Sequence, residues 1–106
     1  MPKYLIEASY TADGLKGLHK DKASGRAEAL KKAVESLGGK VEAFYFALGE
    51  YDVVTIVDVP DISSIAALCV AASGSGLVRT RTTALLTMTE ADNALKMKVG
   101  YRAPGK

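Results

Sequence analysis

The sequence predicts an α+β fold in which strands and helices alternate around one central hairpin. Four stretches, at residues 3–10, 41–48, 52–59 and 77–87, have the character of strands, and two, at 12–37 and 62–73, that of helices. Glycine pairs and a proline punctuate them where a chain must turn. The order is β-α-β-β-α-β, followed by a short terminal helix.

The first strand, Lys3 to Tyr10, has two parities: Tyr4, Ile6, Ala8 and Tyr10 on one side, and Lys3, Leu5, Glu7 and Ser9 on the other. Thr11 is placed to cap the helix that follows, its hydroxyl accepting from a free backbone N–H of the first turn. Gly14, Gly17 and Gly25 each weaken that helix by about 1 kcal/mol relative to Ala, so a break or loosened turn is expected near residues 20–25. Ala23, Ala27, Leu30, Val34 and Leu37 then recur at helical spacing, giving one apolar stripe. Gly38-Gly39 ends the helix, because glycine takes the left-handed capping conformation cheaply.

Val41 to Leu48 and Asp52 to Val59 make the hairpin, with Gly49-Glu50 expected as a tight type II′ turn. Pro60 stops the third strand and Asp61 caps the second helix. Gly74-Ser75-Gly76 follows a helix rather than opening one, so it is a C-cap and turn, not a phosphate loop. After the fourth strand, Thr89 and Asp92 have capping-box spacing for a helix running to Met97.

Two helices and four strands in this order match a ferredoxin-like sandwich, a split β-α-β pattern. Right-handed crossovers put both helices on one face of an antiparallel sheet ordered 4-1-3-2. One hundred and six residues suit a single domain, with a core over about 3–88 and a terminal helix and tail over 89–106.

Composition narrows the partners. Fourteen basic and 12 acidic residues give a net charge of +2, too balanced and too interspersed for a nucleic-acid binder. The longest apolar run, Ile65 to Ala72, falls far short of a membrane span. Met1-Pro2-Lys3 leads straight into strand-like sequence, so no leader is expected. Lone Cys69 can form no internal disulfide, which suits a reducing cytoplasm. It shares a stripe with Ile62, Ile65 and Ala72, so it is expected in the packing. His19 is the only histidine, and a partly exposed helix position accounts for it. No metal-ligand motif appears, and the sequence names no cofactor.

The helix-free face of such a sheet should be polar in a monomer. Here the third strand, Val53-Val54-Thr55-Ile56-Val57, is apolar on both parities. The second offers Phe44 and Phe46 on one side and Val41, Ala43 and Tyr45 on the other. A homo-oligomer that covers the helix-free face is therefore expected. Pairing Tyr10 with Val78 would bring Glu7 opposite Arg81 there, as a cross-strand ion pair.

Strand directions gather the end of the first strand, the hairpin 49–52 and the start of the fourth strand at one rim. The first helix begins there too, and helix N-termini attract anions. Thr11, Tyr51, Asp52 and Arg79 are the candidate ligand-binding residues of this rim, with Arg79 favouring an anionic ligand. Asp52 and Tyr51 serve equally well as a turn-closing acceptor and an interface anchor.

The stretch Gly49-Glu50-Tyr51-Asp52-Val53-Val54, followed by Asp58-Val59-Pro60-Asp61, resembles the GYD-domain family, named for a Gly-x-Tyr-Asp core. Ser73-Gly74 with Val78-Arg79-Thr80-Arg81-Thr82 is similar to that family's second block. Thr11 with Gly14, and Gly38-Gly39, also resemble it, so the likeness covers about residues 3–88. The resemblance implies a fold like that of the dimeric α/β-barrel group, which includes cofactor-free monooxygenases, isomerases and haem-handling enzymes. It implies no particular activity, since one fold hosts many. Two function classes fit: an oligomeric structural or regulatory protein, and a small-molecule-binding protein or cofactor-free enzyme using a pocket near the rim.

Overall fold

The computed structural model describes residues 1–106. The chain runs β1 (Lys3–Tyr10), α1 (Ala12–Ser36), β2 (Lys40–Phe46), β3 (Val53–Asp58), α2 (Ile62–Gly74), β4 (Val78–Leu85) and α3 (Met88–Lys96). The strands form one antiparallel sheet in the order β2-β3-β1-β4, the expected order counted from its other edge. Tyr10 lies opposite Val78 and Glu7 opposite Arg81, the register expected from the strand spacing.

The two-residue strand period sorts the sheet into two faces. Tyr4 and Ile6 of β1 and Val53, Thr55 and Val57 of β3 are buried on the helix side. Tyr4, Ile6 and Val57 form the core cluster with Val34 of α1, Ile65 of α2 and Val59 just after β3. The third strand is apolar on both parities because its other set, Val54 and Ile56, faces the helix-free side.

A bulge between Val41 and Ala43 corrects the expected facing of β2. Val41 lies opposite Val57, on the core side, whereas Ala43 and Tyr45 lie opposite Ile56 and Val54. One extra residue, Glu42, reverses the side-chain alternation, which a strict period of two does not anticipate.

The hairpin also differs from expectation. β2 ends at Phe46 and β3 begins at Val53, and Ala47 N donates to Asp52 O at 2.8 Å to close a wider loop. Gly49 is not among the glycines with positive φ, which a type II′ turn would require.

The break in α1 falls where its glycines weaken it, at Lys22, which takes φ 66° and ψ 168°. That region of backbone space is close to glycine-only and is strained for any side chain. At the far end Gly38, with φ 80°, donates its N–H to Glu35 O at 2.9 Å, while Gly39 N donates to Val34 O at 3.0 Å. Those two bonds are a Schellman cap. Asp61 caps α2 as expected, accepting from Ser64 N at 2.8 Å. Ser75 C-caps α2, and Gly76, with φ 75°, makes the turn into β4.

The capping box of α3 sits two residues earlier than its sequence spacing suggested. Glu90 N donates to Thr87 Oγ1 at 3.2 Å, and Thr87 N to Glu90 Oε1 at 2.9 Å. Thr89 and Asp92 have the right types, but β4 stops at Leu85, so the first free turn begins at Thr87. No residue of α3 is buried. The chain's radius of gyration is 16.8 Å, against about 13 Å for a compact domain of this length. No helix is long and apolar enough to cross a membrane.

Candidate functional site

The rim is held together through the backbone. Thr11 N donates to Leu77 O at 2.9 Å, joining the start of α1 to the approach of β4. The Thr11 hydroxyl donates to the Gly76 and Leu77 carbonyls, at 3.1 and 3.2 Å, and accepts from Gly14 N at 3.1 Å. Gly14 must be glycine for this approach: a Cβ there would collide with the Leu77 carbonyl oxygen.

Asp52 joins the hairpin to β1. Its backbone N–H donates to Ala8 O at 2.8 Å, and its Oδ2 accepts from Tyr10 N at 2.8 Å. The carboxylate thus carries the β1–β3 ladder one step beyond the start of β3, where no β3 residue remains opposite Tyr10. Ser9 Oγ adds a longer bond to Glu50 O.

Tyr51 takes a partner that the sequence did not suggest. Arg81 Nη1 donates to Tyr51 Oη at 3.5 Å. The hydroxyl, and beyond it Glu7 and Glu50, favour the charged guanidinium and hold its pKa above the ordinary arginine value. Glu7 and Arg81 are opposite in register, but they do not form the expected ion pair, because the guanidinium turns toward the hairpin. Arg79, opposite Ser9 on the same face, is exposed, and its side chain makes no hydrogen bond or salt bridge within the chain. The four candidate residues therefore share one rim, yet three are occupied by bonds that fasten it.

The sequence model of the GYD domain family matches residues 4–95. The chain belongs to the GYD-domain family. Nothing among curated proteins or solved structures matches it. In this GYD domain the residues of the Gly-x-Tyr-Asp core close the hairpin onto β1 and engage β4.

Three cavities lie on the helix side, and none is lined by Thr11, Tyr51, Asp52 or Arg79. The largest, about 370 Å³, opens between α1, α2 and the sheet, and Arg26, Leu30 and Leu68 are among its walls. A smaller one of about 90 Å³ continues beneath it to Ile6, Phe44 and Cys69. The third, about 270 Å³, lies between α1 and Phe46, and exposed His19 lines it. Cys69 is half-buried, its Sγ 3.1 Å from Thr82 Oγ1, while Ile62 of the same stripe is exposed at the start of α2.

Sequence reading did not single out Arg26 or Tyr10, which line both of the first two cavities. The available signal was the small side chains on both helices, Gly17, Ala29 and Ala33 against Ala71 and Ala72, which cannot fill the space between them.

At the end of the strands away from the rim Asp58 is 3% exposed and bonds Lys3 Nζ at 2.9 Å, while Lys3 also reaches Glu42 at 3.3 Å. The Asp58 bond is the main reason that the Lys3 pKa is raised. No three His, Cys, Asp or Glu side chains converge to hold a metal ion.

Proposed function

We propose that this GYD domain works as a homo-oligomer of the ferredoxin-like, dimeric α/β-barrel type, with a second copy covering the helix-free face of the sheet. The observation that carries the reading is a continuous apolar row, Ala43, Ile56 and Leu5, set across three adjacent strands on that face. Tyr45, 70% exposed, and Val54 extend it one row toward the rim. A contiguous apolar patch on a sheet without helices is the mark of an interface.

The charges around the row support two-fold pairing. Glu7 has no partner in its own chain, and Arg81 beside it has only the long Tyr51 bond. A two-fold axis through the face would bring each Arg81 toward the other copy's Glu7, since such an interface is self-complementary.

Area adds a further constraint. Four strands about 4.8 Å apart, seven residues long at about 3.3 Å each, present a plane of roughly 440 Å². A standard interface takes about 800 Å² from each partner. The C-terminal arm supplies candidates for the rest: Met88, Leu95, Met97, Val99 and Tyr101 are all exposed, Leu95 at 83%. In this reading the Gly-x-Tyr-Asp core is a structural fastener that sets the shape of the face.

The test is the mass in solution by light scattering, for the wild type and for Val54→Asp with Ile56→Lys. Wild type at twice the chain mass or more, and the double variant at the single-chain mass, is the expected result. A folded wild type that is monomeric at micromolar concentration refutes the proposal.

A further inference from the structure

We propose that the space between α1, α2 and the sheet is a binding site for a medium-chain aliphatic carboxylate, with Arg26 holding the carboxylate and the helix–sheet gap holding the chain. This goes beyond the oligomer, which uses the other face of the sheet.

The gap exists because two helices meet over it with small side chains. Gly17, Ala29 and Ala33 of α1 face Ala71 and Ala72 of α2, and a Cβ added at Gly17 would meet nothing within 4 Å. Tyr10, Arg26, Leu30, Leu68, Ala72 and Val78 line both the upper and the lower cavity, so the two adjoin around the same side chains. At about 370 Å³ the upper part alone is within the ~300–1,000 Å³ of small-molecule sites. At about 30 Å³ per non-hydrogen atom, the share of a liquid water, it takes about twelve such atoms, the size of decanoate.

Its lining dictates the ligand's two ends. Ten of the 15 residues around the upper cavity are hydrophobic, so the body of the ligand is apolar. Only Asp21 and Arg26 carry charge there, and Arg26 alone does so in the lower cavity. The Arg26 side chain is 39% exposed, which puts its head at the edge of the space, where a charged group keeps contact with water. Its partner is weak: Asp21 Oδ2 is 3.6 Å away, beyond the ~2.7–2.9 Å of a charge-assisted hydrogen bond, and such exposed pairs contribute little. The guanidinium retains donors in the fork geometry that fits a carboxylate. Asp21 opposes an incoming anion, so its removal should tighten binding.

The kink favours this use of α1. Strained Lys22 lies between Asp21 and Arg26, and both halves of the helix, through Gly17 and Ala29, reach the same cavity. A straight helix would direct those halves along one line; the break lets them wrap the gap.

Calorimetric titration of the full chain with sodium decanoate below its micellar range tests the site, with decylammonium and butyrate as comparison ligands. One decanoate per chain is expected, with butyrate and decylammonium far weaker. Arg26→Gln should weaken decanoate at least tenfold, as loss of a hydrogen-bonded charge does. Asp21→Asn, at an exposed position, should strengthen it, and Ala72→Phe, which fills both cavities, should abolish it while circular dichroism stays native. No decanoate binding by the wild type, binding unaltered in Arg26→Gln, or decylammonium binding as tightly as decanoate overturns the assignment.

Discussion

Replacing Asp52 with Ala removes a single hydrogen bond, because the residue's two other anchors belong to the backbone. Oδ2 accepts from Tyr10 N at 2.8 Å, whereas Asp52 N to Ala8 O and Ala47 N to Asp52 O, both 2.8 Å, survive the change. Tyr10 is half-buried, so its N–H is only partly compensated by water after the loss. Hydrogen bonds to charged groups contribute about 1.5–3 kcal/mol, so Asp52→Ala should destabilise the chain by about 2 kcal/mol. Asp52→Asn keeps an acceptor at the same place and should lose about 1 kcal/mol. Near ~5 °C per kcal/mol, the Ala variant melts about 10 °C lower. Urea unfolding followed by circular dichroism, at one fixed chain concentration because assembly shifts apparent stability, measures both. If Asp52→Ala unfolds within about 0.5 kcal/mol of wild type, the carboxylate is not a structural fastener. A rim ligand then becomes the better account of the Gly-x-Tyr-Asp core.

Lys22→Gly relieves a conformation worth ~1–3 kcal/mol of strain against a glycine entropy loss of ~0.5–1 kcal/mol, so its urea midpoint should rise. Gly14→Ala should lower stability by about 1–3 kcal/mol, the collision with Leu77 O outweighing the better helix former. Gly17→Ala, whose Cβ meets nothing, should stabilise by up to ~1 kcal/mol, and thermal melts of the pair decide between propensity and packing. The Asp61 carboxyl is held below its usual pKa, chiefly by the Ser64 backbone N–H and next by the Ser64 hydroxyl. Its stabilisation is therefore present above the ordinary aspartate value near ~4 and lost as pH falls through the lowered one, and Asp61→Asn should flatten that limb of stability against pH.

What the sequence made legible was local. Thr11, Asp61 and Gly38-Gly39 act within a few residues of themselves, so their types and spacing sufficed. The weak stretch of α1 was legible as an accumulation of glycines, although the strain settled on Lys22, which no propensity singles out. The register of β1 against β4 followed from alternation and topology. The partner of Arg81 did not, because a long guanidinium chooses among neighbours only once the hairpin is in place, and the hairpin itself was misjudged. Two backbone bonds, Ala47 N to Asp52 O and Asp52 N to Ala8 O, and the Asp52 carboxylate settle that loop, and the last two of these contacts depend on β1 lying alongside. The bulge at Glu42 and the gap beside Arg26 were the least legible. The first is a one-residue offset, and the second arises from small side chains on helices far apart in sequence.

The C-terminal arm separates folding from assembly. α3 is nine residues long, and an isolated helix of that length is marginal in water even with a good cap. Its capping box is complete, yet none of its residues is buried, so the sequence specifies a helix that its own chain does not pack. Leu95 and Met97, 83% and 69% exposed, bring no burial to the monomer. A charge at Leu95 should thus change the chain's own stability by no more than about 0.5 kcal/mol, as exposed substitutions usually do. In the proposed oligomer the same leucine helps complete an interface that the sheet face alone fills only about half-way. Leu95→Asp should therefore leave the circular dichroism of the body intact and weaken self-association, read as a rise in the dissociation constant by analytical ultracentrifugation. A variant that associates as tightly as wild type removes the arm from the interface. The sheet face would then have to hold the copies together by itself.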